Sequence, residues 1–412
     1  MVETSGSVSV PNLVDPRTFA THNMSELWRD LRHRDPVHWH PESDYGPGFW
    51  VLSRYADVLK VLRDDSTFTS EKGNVLATML HGGDSAAGRM LAVSDGHYHT
   101  ELRKLLLKAF SPRVLDYVVQ RVRRTARRLL TEAVERGECD FARDIASVLP
   151  IETICDLLDV PPGDRPYIFK LTKSAMSLDY ESQSGENPDA RREIVIYFSR
   201  LVEARRQSLG LDPISLMATG EVDGKRLDDL TIIVNCYSLV MGGDGTNRLA
   251  MIGGLKALIE NPDQWVALKN GDVTPQAGCE EVLRWTTPTM HFGRTAVADT
   301  TLANKNIAAG DLVTLWFASA NRDETVFPEP DTFDLGRSPN KHMSLGYGRH
   351  FCLGGYLGRV EITTMLDALR TFVVEMEQKG PERHIYSNFL QGMSSLPVYL
   401  KGDLSKVPDW ED

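Results

Sequence analysis

The segment Leu345-Gly-Tyr-Gly-Arg-His-Phe-Cys-Leu-Gly-Gly355 constrains this chain more than any other, because it sets a lone cysteine at the head of an amphipathic run, Tyr356 to Glu377. Gly346 and Gly348 let the backbone turn tightly. The helix expected beyond them turns unpaired N–H groups and the positive end of its dipole toward the Cys352 sulfur. Both effects favour thiolate over thiol. A sulfur anion held by backbone donors suits an axial iron ligand, because those donors tune the electron density given to the metal. A buried structural cysteine is the plainer reading of such a residue. A nucleophile with His350 as base is a third, disfavoured because residues two apart rarely face each other.

The rest of the chain must be large enough to enclose such a centre. Over 412 residues, 42% are hydrophobic and 25% charged, the balance of a globular chain with a sizeable core. Length alone would suggest two or three domains. No repeat, low-complexity tract or flexible linker divides the chain, so one domain over 1–412 is expected, with an N-terminal segment (1–35), a core (36–400) and an acidic tail (401–412). The net charge of −11 disfavours nucleic acid as a partner. No run approaches the ~20 apolar residues that cross a bilayer. The nearest, Leu230 to Met241, is interrupted by Asn235 and reads as a buried helix. The start, MVETSGSVSV, has neither a basic nor an apolar stretch, so a cytoplasmic chain without membrane attachment is expected. Five scattered cysteines without a Cys-x-x-Cys pair argue against a disulfide framework and a zinc site.

Periodicity predicts a mostly helical protein with minor sheets. Val37–His40 and Phe49–Leu52 flank a Pro/Gly turn and read as a hairpin, followed by a helix over Tyr55–Leu62. Ser70 to Ser94 reads as a long irregular loop, of the kind that often carries function. Helical spacing covers Val118–Glu135, Ala190–Ser208, Leu227–Ile259 and Gln276–Trp285; strand-like pieces cover Thr301–Phe317 and Leu396–Leu400. Within Leu227–Ile259, Gly242, Gly243 and Gly245 should cost roughly 2–3 kcal/mol against alanine. The helix either ends at Gly242 or, since Leu249, Ile252, Leu255 and Ile259 resume the apolar face, continues through a thin, distorted waist that admits a flat cofactor.

These segments together resemble the cytochrome P-450 family over roughly Val37 to Leu400. The cysteine segment resembles its haem-binding signature, Phe-x-x-Gly-x-x-x-Cys-x-Gly, with Gly348, Cys352 and Gly354 in register and Leu345 where Phe is usual. Glu281-Val-Leu-Arg284 is similar to the family's Glu-x-x-Arg pair, and Arg322 matches the downstream arginine of its buried network. The glycine-rich helix is similar to the oxygen-activating stretch, placing the Thr246 hydroxyl beside the distal iron site. Gly245 stands where an acid usually precedes that Thr, while Asp244 lies one residue earlier and about 100° around the helix, so proton delivery runs through Asp244, ordered water or the substrate.

The resemblance implies a fold that is mainly α with minor β sheets, a triangular helical prism with haem b between the long central helix and the helix after the Cys loop. His99, Arg103, Arg294 and His350 match its propionate contacts, with Gly243, Gly346 and Gly354 close to the cofactor. It implies a monooxygenase that takes O2 as co-substrate and hydroxylates or epoxidises an organic molecule. Electrons would come from a ferredoxin with its reductase, or from a flavodoxin. The basic stretch Arg103, Lys104, Lys108, Arg113, Arg121, Arg123, Arg124, Arg127, Arg128, opposed by Asp116 alone, is the candidate docking face with Lys341 and Arg349; a solvated helix face is the plainer reading. Substrate contacts are expected from Val75–Met90, Tyr167–Asn187, Leu239, Thr289, His291, Phe389 and Leu390. The expected role is natural-product tailoring such as antibiotic biosynthesis, on a small molecule or on an acyl or aminoacyl group borne by a carrier protein. Catabolism of a terpenoid or fatty acid is one alternative, a non-catalytic haem-thiolate sensor or scaffold another, which Thr246 argues against. A monomer is expected.

Overall fold

A computed structural model of the chain describes residues 8–110, 112–175 and 187–406. At its centre runs one helix, Asp229–Glu260, begun by the Asp228 carboxylate, which accepts the N–H of Thr231 at 2.8 Å. Its buried residues point in many directions, since helices Leu149–Leu157, Pro188–Gln207, Pro275–Thr286 and Gly355–Phe372 all pack on it. A helix apolar on nearly every side is stable only when enclosed in this way. The glycine run does not break it: the helix passes through Gly242, Gly243 and Gly245 without a change of type, so the expected distortion of the waist is not seen.

A five-stranded sheet lies beside this helical body. The predicted hairpin forms, with Trp39 opposite Trp50, and Phe49–Leu52 runs parallel to Leu312–Trp316. That strand pairs antiparallel with His291–Ala296, setting Val313 opposite Arg294, and Phe68–Thr69 closes the far edge. Alternation along His291–Ala296 sends Phe292 and Arg294 to one face and His291 and Gly293 to the other.

Several boundaries differ from expectation. The run after the cysteine is helical only over Gly355–Phe372; Val373–Gln378 is a strand, because its hydrophobic spacing shortens to two as it pairs with Pro397–Gly402. The stretch Thr301–Phe317 is interrupted by turns, with strands at Lys305–Ile307 and Leu312–Trp316 and a one-turn helix from Phe317. The 70–94 loop contains a short helix, Leu76–Leu80. Two helices, Pro16–Thr21 and Met24–Arg34, occupy the N-terminal segment. Positions 176–186 of the Tyr167–Asn187 substrate region and 407–412 of the acidic tail lie outside the described residues. Among the described residues, no helix is long and apolar enough to cross a membrane.

Candidate active site

The cysteine turn is built by its own backbone. Gly346 and Gly348 take φ of 71° and 69°, the left-handed region that other residues enter at a cost. A Cβ on Gly348 would also stand 2.8 Å from the Leu62 carbonyl oxygen. The Cys352 N–H donates to the Leu345 carbonyl at 2.8 Å, closing the turn below the sulfur. Burial pushes the Cys352 thiol up, while the Gly354 N–H and the charges of Arg103 and Arg359 oppose that rise. The donors thus act in the expected direction against the cost of burial, and coordination to a cation would stabilise the sulfur anion further. Protein crowds the sulfur, yet Cys352 remains accessible, so it borders an interior space.

Leu239, Gly242 and Thr246, three and four residues apart, share one side of the central helix, and that side is partly open. Gly242 is exposed in mid-helix, and a Cβ there would meet nothing within 4 Å. The Thr246 hydroxyl donates back to the Gly242 carbonyl at 3.0 Å. Gly243 is a correction: a Cβ there would overlap Ile154, so this glycine serves helix packing and does not open toward the cysteine. Asp244 is a second correction. Two residues from Thr246 is about 200° around the helix. Asp244 is buried there near Arg248 and Thr172, and burial pushes its carboxyl up to about 6.

Four cationic or hydrogen-bonding side chains converge on the rim of the same space. His99 and His350 lie with ring centroids 4.4 Å apart, and Arg103 donates to the Phe351 carbonyl at 2.7 Å. His350 is held by Asp95, Nε2 to Oδ1 at 2.7 Å, and Asp95 also accepts from Thr69 and the Ser70 N–H. Those donors hold the Asp95 carboxyl down at about 2, against the opposing pull of burial. The Arg294 guanidinium is buried and lowered to about 10, donating at 2.7 Å to the carbonyl of its neighbour Gly293. The buried His99 Nε2 has no hydrogen-bond partner. A buried cation and an orphaned imidazole nitrogen each leave a polar group for a ligand to meet. The arrangement fits haem, with Cys352 for the iron and His99, Arg103, Arg294 and His350 for the propionates.

The Glu281 and Arg284 side chains are fully buried and paired through two hydrogen bonds of 2.8 Å. Arg322 does not reach Glu281, contrary to expectation. It donates to the carbonyls of Pro330 (2.7 Å) and Trp285 (3.1 Å) and lies 3.9 Å over the Trp285 ring. Arg337 supplies the missing charge at 3.3 Å.

The expected substrate residues separate. Thr289 and Leu390 form an isolated β-bridge, with Phe389 beside Phe292 at 5.6 Å. His291 points to the opposite face of the strand from Arg294, buried against Trp316 at 4.3 Å and Phe389 at 5.6 Å. Sequence reasoning missed Asp95, Asn235, Asn247 and Glu361. The Asn247 amide donates to Glu361 at 2.9 Å where the two central helices touch, and burial pushes the Glu361 carboxyl up to about 8. The signal for Asn235 was its place inside an apolar run. Of the basic stretch, Arg121 and Arg128 are drawn to Asp156 and Glu152, Lys104 pairs with Glu101, and Arg349 with Asp65.

The family model described as Cytochrome P450 matches residues 275–401. The chain is 49% identical to Cytochrome P450 NovI of Streptomyces niveus, over 95% of this chain and 96% of the relative. It is 31% identical to linalool 8-monooxygenase of Pseudomonas putida, over 95% and 98%. Among solved structures, P450 OxyD, described as involved in the biosynthesis of vancomycin-type antibiotics, matches with a TM-score of 0.88 and 32% identity, over 96% of this chain and all of that one.

Proposed function

Because this chain belongs to the cytochrome P450 family and is a monooxygenase of that class, we propose that it binds haem b through Cys352 and oxygenates an intermediate of natural-product assembly, antibiotic biosynthesis being the pathway class. The observation that carries the cofactor reading is the pairing of an accessible Cys352 sulfur with the orphaned His99 Nε2 and the buried Arg294 cation. Bound haem supplies the two-electron activation of O2 that leaves one oxygen atom as water and places the other in the substrate.

The chain's own residues do the rest. Arg294 would neutralise a propionate, the His99 ring, lowered to about 4 by burial and so neutral, would offer a hydrogen bond from Nε2, and Asp95 fixes the His350 ring. Gly242, where a Cβ would meet nothing within 4 Å, would leave room for the cofactor, and the Thr246 hydroxyl would hold a proton next to it. With Gly245 in place of an acid and Asp244 turned away, protons reach Thr246 through water or through a substrate hydroxyl or amine. Leu239 and the 75–90 loop line the substrate side. Electrons come from a ferredoxin and its reductase, or a flavodoxin, docking near Lys104, Lys108 and Lys341.

The antibiotic reading is supported by the likeness to P450 OxyD. The likeness to linalool 8-monooxygenase favours a second reading, terpenoid hydroxylation. A spin-state titration separates them: free amino acids and acyl compounds, the same groups loaded on a carrier protein, and monoterpene alcohols are each added to the ferric protein. A high-spin shift with amino acids or acyl compounds in either form, followed by NADPH-dependent product with a surrogate ferredoxin, is the expected result. A shift with the terpenes alone would reverse the assignment.

A further inference from the structure

Asn235 sits in the most apolar stretch of the central helix and is 2% exposed, yet two of its three amide hydrogen bonds go to another segment of chain. Its Oδ1 accepts the Leu91 N–H at 2.9 Å, and its Nδ2 donates to the Arg89 carbonyl at 2.9 Å and to the Thr231 carbonyl at 2.7 Å. One side chain thus satisfies both a donor and an acceptor of the loop backbone. The Arg89 guanidinium adds an ion pair to Asp228 at the head of the same helix.

The beginning of that loop is tied elsewhere. The Asn74 amide donates to the Ala92 carbonyl at 3.0 Å, and the Asn74 carbonyl accepts the Gly293 N–H at 2.7 Å, next to Arg294. The Met79 sulfur fills the space a Cβ on Gly293 would need. Residues 74–93 are therefore fastened to the Arg294 strand at one end and to the central helix at the other. Asn235 lies one turn before Leu239 on the same side of the helix.

We infer that Asn235 is a positioning residue that sets the 74–93 loop as a fixed wall of the substrate pocket, touching neither substrate nor haem. The inference rests on the proposed reading of the Leu239 and Thr246 face as the substrate side. Loss of the amide leaves a buried N–H and C=O of the loop without partners, which frees the wall while the cysteine turn and the Glu281 network stay intact.

The test uses the haem-loaded protein with Asn235→Ala and the near-isosteric Asn235→Asp, which keeps the acceptor for Leu91 and loses the donor to Arg89. Imidazole, small enough to reach iron without touching the loop, and clotrimazole, which fills the pocket, are titrated by the Soret shift. Asn235→Ala should weaken clotrimazole about tenfold and imidazole less than about twofold, with Asn235→Asp between it and the parent. Hydrogen exchange at residues 89–93 should accelerate about tenfold while that of 345–355 is unchanged. Equal weakening of both azoles, or acceleration spread over the whole chain, would overturn the positioning role. A parent protein that shows no azole-induced shift would overturn the haem reading instead, and loop exchange in the variants would still decide whether Asn235 holds the wall. Should Asn235→Ala not fold, the Asp variant alone must show the azole difference, and its absence refutes the inference.

Discussion

Arg284 and Arg294 are both buried guanidinium groups, and their surroundings differ in kind. Arg284 is met by two Glu281 oxygens and by the carbonyls of Asn321, Pro330 and Thr332. Arg294 donates to its neighbour's carbonyl and otherwise feels the Asp95 carboxylate and the His350 ring. A charge taken out of water is tolerable only when compensated. The first arginine is compensated by protein and is structural; the second feels only Asp95 as a counter-charge, and in the proposed reading a haem propionate completes its compensation. The same contrast separates the closed Cys352 turn from the open stripe of Leu239, Gly242 and Thr246.

The largest effect should come from the closed network. Glu281→Ala strands Arg284 and Arg337 and should lower unfolding stability by about 3–5 kcal/mol in denaturant titration; a loss below about 1 kcal/mol would break the comparison. Arg294→Ala should leave apoprotein stability within about 1 kcal/mol of the parent while raising haem loss to a scavenger protein at least about tenfold. Equal destabilisation of the apoprotein would make Arg294 structural too. Thr246→Val keeps shape and removes the proton-bearing hydroxyl, so product formed per NADPH should fall about tenfold with substrate affinity little changed.

Buried acids give the comparison a pH arm. Asp244 is raised to about 6 and Glu361 to about 8, because burial penalises both anions. The native chain then binds more protons than the unfolded one, so stability declines as pH rises, up to about 6 for Asp244 and about 8 for Glu361. Asp244→Asn should make the decline shallower below about pH 6 only, and Glu361→Gln should make it shallower there and remove it between about 6 and 8, read from denaturation midpoints at each pH. The smallest effect belongs to the surface: Lys104 and Lys108 changed to Glu should slow reduction by an acidic ferredoxin about threefold at low salt, and less at high salt.

Much of this was legible in the sequence because periodicity and spacing are local. The central helix, the hairpin and the Cys352 turn follow from residues close in the chain. What escaped depends on direction or on distance. Nothing local says that Gly243 answers to Ile154, that Asp244 turns to Arg248, or that Arg337 and not Arg322 reaches Glu281. The strand after Phe372 was hidden because Val373 to Glu377 continues an apolar pattern while its period changes. His291 looked like a site residue beside Arg294, and the alternation of its strand sends it to the other face.

The reduced, carbon monoxide-treated difference spectrum of the parent and of Cys352→Ser tests the central claim most directly. A strongly red-shifted Soret band in the parent, lost in the serine variant, is the predicted result. A parent that takes up haem without that band, or a variant that keeps it, would contradict iron ligation by Cys352.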